Sequence, residues 1–481
     1  MFRPPRLGAG LVYNSFLDDV LAREPGLVDF VEIEPETLWI QVAPGREHFR
    51  LSDAALARLR ALPCPTLLHS IGFPVGGSCL PDLQHVELLN AMANALGSPW
   101  VSEHLSFNVA RVAGNETRAG MLLPPLQTPE GVDCAVSTIT RYAAALNRPL
   151  AIETGVSYLE RHEFELSDGA FMRQVAERAD CGILLDLHNL WANERNGRHA
   201  ARDVIAELPL DRVWEVHVAG GEERRGYWID GHCGAVPEPV LQLAREVIPC
   251  LPNLGAVTLE VFPAYLPGLV ATELRREIEA LRELCAAPRR ANHRSPPAAL
   301  PHAGAPRVAE WEAALVDLIL GRDATSPIGA ALAGDPAIPL YRDLLAEFRA
   351  SMLGTALGLT TRLLLLELGE EGTRDLFARF WRHSAPEMSA GAEALRFADY
   401  IQTNPPPVPL LTEMLAFETA AVRALMEQTP QRVRIDCDIR MAIQALVERR
   451  IPARPGPTPF EFVLEPPATS GDHIVRGANV S

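Results

Sequence analysis

Eight short apolar runs recur through the first 285 residues: GAGLVY, LVDFVEIE, TLLHS, WVSEHL, LAIET, GILLDL, VWEVHV and AVTLEV. Between them lie stretches with apolar residues at helical spacing, such as LPDLQHVELLNAMANALG and EGVDCAVSTITRYAAAL. Strand–helix alternation requires parallel strands joined by crossover helices. Eight such units place the region in the α/β class, at the size of a closed (β/α)8 TIM barrel. A doubly wound open sheet is the alternative, but no GxGxxG follows the first run.

A chain of 481 residues exceeds one ordinary core, so further domains are expected. The stretch AAPRRANHRSPPAALPHAGAPR, residues 286–307, has no periodicity and reads as a linker. The expected organisation is a barrel over 1–287, a linker over 288–306, a mainly α-helical domain over 307–465 and a disordered tail over 466–481. The helical reading rests on segments such as WEAALVDLILG and YRDLLAEFRASMLGTALGLTTRLLLLELGEEG. PFEFVLEP is expected to add a strand there.

Composition narrows the function classes. The net charge of -17, with no dense basic run, disfavours a nucleic acid held through its phosphates. None of the 8 cysteines stands in a CxxC pair, which argues against a Cys-ligated zinc site or a disulfide scaffold. MFRPPRLGAG lacks the apolar core of a signal peptide, and TTRLLLLEL is too short to span a bilayer. A cytoplasmic protein with reduced thiols and no membrane partner is the expectation.

The chemistry sits at the ends of the apolar runs. TLLH ends at His69, WVSEH at Glu103 and His104, LAIE at Glu153 and VWEVH at His217. GILLD ends at Asp186, with His188 and Asn189 following, and TLE ends at Glu260. The polar loop after VWEVHVAGG adds Asp230 and His232, and the second run adds Glu32, Glu34 and Glu36. Alone, each has an ordinary reading as a capped His, a solvated Glu or an Asp-Gly turn. Together they matter, because the C-terminal ends of barrel strands converge on one mouth. Imidazole mixed with carboxylate is a metal-site composition. His69, His104, Glu153, Asp186, Asn189, His217, Asp230, His232 and Glu260 make nine candidates, too many for one ion. Two or three ions sharing bridging carboxylates could use them. Iron, manganese and zinc all suit the donors. Non-heme iron is natural if positions stay open for dioxygen, and zinc with a phosphate ester is the rival. A Zn- or Mn-dependent isomerase or phosphoesterase is thus the alternative function, and a non-catalytic metal-binding scaffold the third.

The motifs HSIGFPVGGS, VSEHLSF, IETGVSYL, LLDLHNLWAN, EVHVAGG, IDGHCGAV and TLEVF resemble, in order and spacing, the multinuclear non-heme iron-dependent oxidative enzymes, which include the methanobactin biosynthesis oxygenase. The resemblance spans residues 1 to about 285. It implies a TIM barrel holding two or three irons of mixed Fe(II)/Fe(III) valence, with O2 as co-substrate. It implies oxidative modification of a ribosomally made precursor peptide, commonly at a Cys of its core. It carries the metal-ligand roles onto the same nine positions, with Glu153, Asp186 and His217 as catalytic ligands and Glu103 orienting imidazoles. Three departures stand out. His188 occupies a place usually held by Asn, Gly221 stands where many members have a second His, and Val261-Phe262 replace Trp-Asp. His188 could therefore be a substitute ligand. RFADYIQTNPPPVPLLTEMLAFETAAVRAL weakly resembles the partner proteins that help hold the precursor, which implies a natural fusion of enzyme and partner. The edge of the PFEFVLEP strand could then pair with the leader peptide. A generic helical dimerisation domain is the other reading of that region.

Overall fold

The computed structural model describes residues 2–45, 48–262, 265, 271–287, 304–323, 325–453 and 460–466. Most of the expected linker and nearly all of the expected tail lie outside the described residues. The chain divides into two compact units, one of residues 1–37 and 58–341, the other of 38–57 and 342–481. The first unit runs past the 288–306 segment and takes in the helices Val308–Ile319 and Pro327–Leu332. The second takes in the short hairpin Trp39–Gln41 with Phe49–Leu51.

The first unit is a TIM barrel. Its strands are β1 (Gly8–Val12), β2 (Phe30–Ile33), β3 (Thr66–Ser70), β4 (Val101–His104), β5 (Leu150–Glu153), β6 (Gly182–Asp186), β7 (Val213–Ala219) and β8 (Ala256–Glu260). They pair in sequence order, all parallel, and β8 closes onto β1. Each coincides with one of the eight apolar runs. Strands such as GILLD and VWEVHVA are buried along their whole length, which is why they read as apolar runs rather than as alternating patterns.

Residues two apart on a strand share a face, and this period sorts the barrel interior into layers. At the N-terminal end Phe30, Leu67, Trp100, Ala151, Trp214 and Ala256 form one apolar cluster, large rings set against small alanines. Two residues further along β2, β3 and β5 come Glu32, His69 and Glu153, all buried. The same alternation therefore gives each of these strands an apolar plug below and a polar group above. Burying each ring of the plug stabilises the fold by roughly 2–3 kcal/mol.

The second unit is mainly helical, in line with its sequence. Its core draws on Ala390–Thr403, Leu411–Glu427 and the stretch Gly358–His383, which is broken at Gly369. At Gly369 φ is 71° and ψ 179°, a combination open essentially only to a residue without a side chain. Phe460–Leu464, from the PFEFVLEP segment, pairs antiparallel with Gln431–Ile435. Among the described residues no single helix is long and apolar enough to cross a membrane.

Candidate metal centre

The barrel closure gathers the expected residues. His104 pairs in register with Glu153, and Asp186 with His217, so neighbouring strands deliver their terminal side chains side by side. Glu153 Oε2 lies 3.2 Å from His69 Nε2 and 3.0 Å from His104 Nε2. The other oxygen, Oε1, is 3.9 Å from His217 Nδ1. Glu260 repeats the arrangement, with Oε1 3.2 Å from His217 Nδ1 and Oε2 3.2 Å from His232 Nε2. His232 Nε2 is in turn 2.9 Å from Asp230 Oδ1. Glu153 thus faces three imidazoles and Glu260 two, as bridging carboxylates do.

Asp186 ends β6 and caps the helix Leu187–Arg195, its Oδ1 accepting from Asn189 N at 2.8 Å. Asn189 Nδ2 donates to Thr154 O at 3.3 Å. The cap leaves Asp186 Oδ2 and Asn189 Oδ1 free. The Asp230 loop returns over the mouth through the hairpin Glu222–Arg224 with Tyr227–Ile229. His232 closes it with a left-handed φ of 43°, a strained backbone for a residue with a side chain.

Several buried atoms of these residues make no hydrogen bond. Glu153 Oε2, Asp186 Oδ2, Asn189 Oδ1, His217 Nδ1 and Glu260 Oε2 are buried and make no hydrogen bond. Burial pushes the Asp186 carboxyl well above the ordinary range, with Asp230, Glu260 and Glu153 adding negative charge. At Glu260 burial is outweighed by His217 and His232, which hold it at about 2. Burial opposes charge on His104, but Glu153 and Glu103 raise it to about 9. Unpartnered buried acceptors in a negative cavity call for cations. Two ligand atoms, each about 2.1 Å from one ion, sit about 3.0–3.5 Å apart at octahedral or tetrahedral angles. The separations around Glu153 Oε2 and Glu260 Oε2 match that range. Three groups, His69 with His104 and Glu153, Glu153 with Asp186 and His217, and Glu32 with His217 and Glu260, each bring one ligand atom per residue within 4.8 Å. The residues present fit a cluster of metal ions.

Ser102, Trp100 and Glu215 escape a reading of strand ends alone, whereas Glu32, Glu36 and Glu103 are among the expected strand-end residues. Ser102 Oγ is 3.0 Å from His69 Nδ1, which leaves Nε2 for the site. His217 Nε2 is 3.2 Å from Glu32 Oε2 and 3.7 Å from Glu215 Oε1. Trp100 Nε1 donates to Glu215 Oε2 at 3.1 Å. The signal for these residues is the period of two: Glu215 precedes His217 by two positions, and Ser102 precedes His104 likewise. Glu103 lies 3.4 Å from His104 Nδ1. Glu36 sits further out, with its Oε1 2.5 Å from Ser70 Oγ.

A closed parallel barrel whose mouth gathers imidazoles and carboxylates into groups that could hold metal ions defines a class, the TIM-barrel enzymes with an active site at the strand C-termini. The family model described as "RiPP precursor modification enzyme MbnB/TglH/ChrH" matches residues 6–285, and the chain belongs to that family. It is 34% identical over 282 residues to a UPF0276 protein of Streptomyces avermitilis, a match covering 58% of this chain and 55% of that protein. It thus spans about half the length of that relative. A UPF0276 protein of Chromobacterium violaceum is 33% identical over 228 residues, 47% of this chain and 80% of that one. Among solved structures, a D-psicose 3-epimerase covers 58% of this chain and 100% of its own at 14% identity and a TM-score of 0.37, a likeness that identifies no function.

Proposed function

We propose that this chain oxidatively modifies a ribosomally synthesised precursor peptide at a Cys of its core, using dioxygen and two or three irons held at the barrel mouth. The observation that carries this reading is the pair of carboxylates, Glu153 facing three imidazoles and Glu260 two, across a buried mouth whose carboxylates keep oxygens without a hydrogen bond. The donors are imidazole, carboxylate and one amide, a set suited to iron in two valences. His69, His104, Glu153, Asp186, Asn189, His217, Asp230, His232 and Glu260 would hold the ions. The irons, when bound, supply the redox chemistry and a site for the substrate thiolate.

The chain's own residues prepare that site. Ser102 engages His69 Nδ1 and leaves Nε2 as the ligand atom. Glu32 engages His217 Nε2 and leaves Nδ1 facing Glu153 and Glu260. Asp186 is held by its helix cap, so only its free oxygen needs to be placed. Glu153 and Asp186, ionised once they held iron, would favour its higher oxidation state. The helical unit is proposed to take the role of the separate partner protein, with the precursor's leader as its ligand. The test is anaerobic incubation of iron-loaded protein with the cognate peptide. No product is expected until oxygen is admitted, and turnover without oxygen overturns the oxidative reading. Zinc or manganese in place of iron in protein purified without oxygen favours the isomerase or phosphoesterase.

A further inference from the structure

His188 is fully buried, and each of its two nitrogens meets one group. Nε2 lies 2.9 Å from Trp228 Nε1, with the indole N–H aligned on it. Nδ1 lies 3.1 Å from Asp230 Oδ1. An indole nitrogen donates and never accepts, so Nε2 must be the bare nitrogen of the ring. A neutral imidazole then carries its proton on Nδ1, facing the carboxylate. That approach is off the N–H axis, so it acts as a dipole beside a charge rather than as an aligned hydrogen bond. Ligation through Nδ1 would require the opposite tautomer and would set two N–H groups against each other at 2.9 Å.

Trp228 is fixed independently. Its backbone N donates to Asn196 Oδ1 at 2.8 Å and its carbonyl accepts from Asn196 Nδ2 at 2.9 Å. The Arg195 guanidinium stacks over the rings of both Trp228 and Trp191, at 4.9 and 5.2 Å. Gly221 makes the room. A Cβ there would fall 2.7 Å from His188 Nε2, 2.7 Å from Trp228 Nε1 and 2.4 Å from the Ile229 carbonyl. The imidazole at 188 and the bare position at 221 are therefore one arrangement, and the indole completes it.

We infer that His188 is a positioning residue and not a metal ligand: Trp228 fixes its tautomer, and its Nδ1–H holds Asp230 in the orientation the metal site needs. The inference rests on the metal-centre reading above, and two measurements separate the fates of the two. The first needs no metal. In 15N-labelled metal-free protein the indole N–H resonance of Trp228, assigned by its loss in Trp228→Phe, is expected to move upfield in His188→Ala. An unmoved resonance overturns the inference. The second is an anaerobic Fe(II) titration of the full chain. His188→Ala is expected to bind as many ions as the native chain at saturation, with one ion bound about 10–100-fold more weakly. Trp228→Phe is expected to weaken the same ion, and the double variant to be no worse than His188→Ala alone. Loss of one ion per chain in His188→Ala makes His188 a ligand. Unchanged or tighter binding in Trp228→Phe also overturns the inference, because a ligating His188 gains when the opposing N–H is removed. A native chain that binds no Fe(II) defeats the metal-centre reading, and the resonance measurement then still decides the tautomer.

Discussion

Buried charge occurs in both units, but it is finished in one and unfinished in the other. In the helical unit Arg349, 2% exposed, meets Glu393 at 2.7 Å and donates to the carbonyls of Ser384 and Ala385. Glu393 spends its other oxygen on the Glu387 N–H. Both charges of that pair have their partners within the chain. At the barrel mouth Glu153, Asp186 and Glu260 each keep an oxygen that makes no hydrogen bond, and Asp186 is burdened by its like-charged neighbours. Satisfied buried charge fixes a fold, whereas unsatisfied buried charge marks a place where something else binds.

The comparison breaks most visibly at Glu153. Glu153→Gln removes the carboxylate shared by three imidazoles, and turnover is expected to fall by more than about 100-fold, beyond the effect of outer partners, with loss of at least one ion per chain. Elemental analysis beside an activity assay checks both, and full metal content would show that the carboxylate bridges nothing. Arg349→Ala tests the opposite side. It leaves Glu393 buried and unpaired and is expected to cost about 3–5 kcal/mol by denaturant melting, with iron content unchanged.

A pH effect sharpens the contrast within the helical unit. Burial pushes Glu418 up to about 7 although it accepts from Leu359 N and Thr360 N. The folded chain therefore holds this proton where the unfolded chain has released it. Stability from this group is fully present below about pH 4.5 and declines as pH rises to about 7, by up to roughly 3 kcal/mol. Glu418→Gln is expected to flatten that decline in melts from pH 4.5 to 7.5, and an unchanged slope refutes the assignment. The smallest effect is expected at Arg202, exposed and paired with Glu246 at 2.8 Å. Arg202→Ala should change stability by less than about 1 kcal/mol and leave metal content alone, as an exposed pair does.

Much of this was legible in the sequence because the barrel converts strand order into proximity. Reading the last polar residue of each apolar run was enough to name His69, Glu153, Asp186, His217 and Glu260 as neighbours. What stayed hidden depends on contacts that no local pattern carries. Glu32 was legible as a strand-end carboxylate, but its contact with His217, 185 positions away, was not. Trp228 sits in a short hairpin, Glu222–Arg224 with Tyr227–Ile229, whose strands are too brief to show alternation. The role of Gly221 cannot be read from glycine itself, since it lies in the space that His188 and Trp228 need. The excursion of residues 38–57 into the helical unit was likewise unreadable, because its partners lie more than 300 positions away, as between Gly45 and Glu387.

The carboxylates and imidazoles at the mouth are proposed to hold a cluster of irons. The most direct measurement is metal analysis with Mössbauer spectroscopy on protein purified without oxygen and loaded with 57Fe(II). At least two irons per chain are expected, falling in Glu153→Gln and in Glu260→Gln. Fewer than one iron per chain in the native protein, or a count that ignores both substitutions, contradicts the claim.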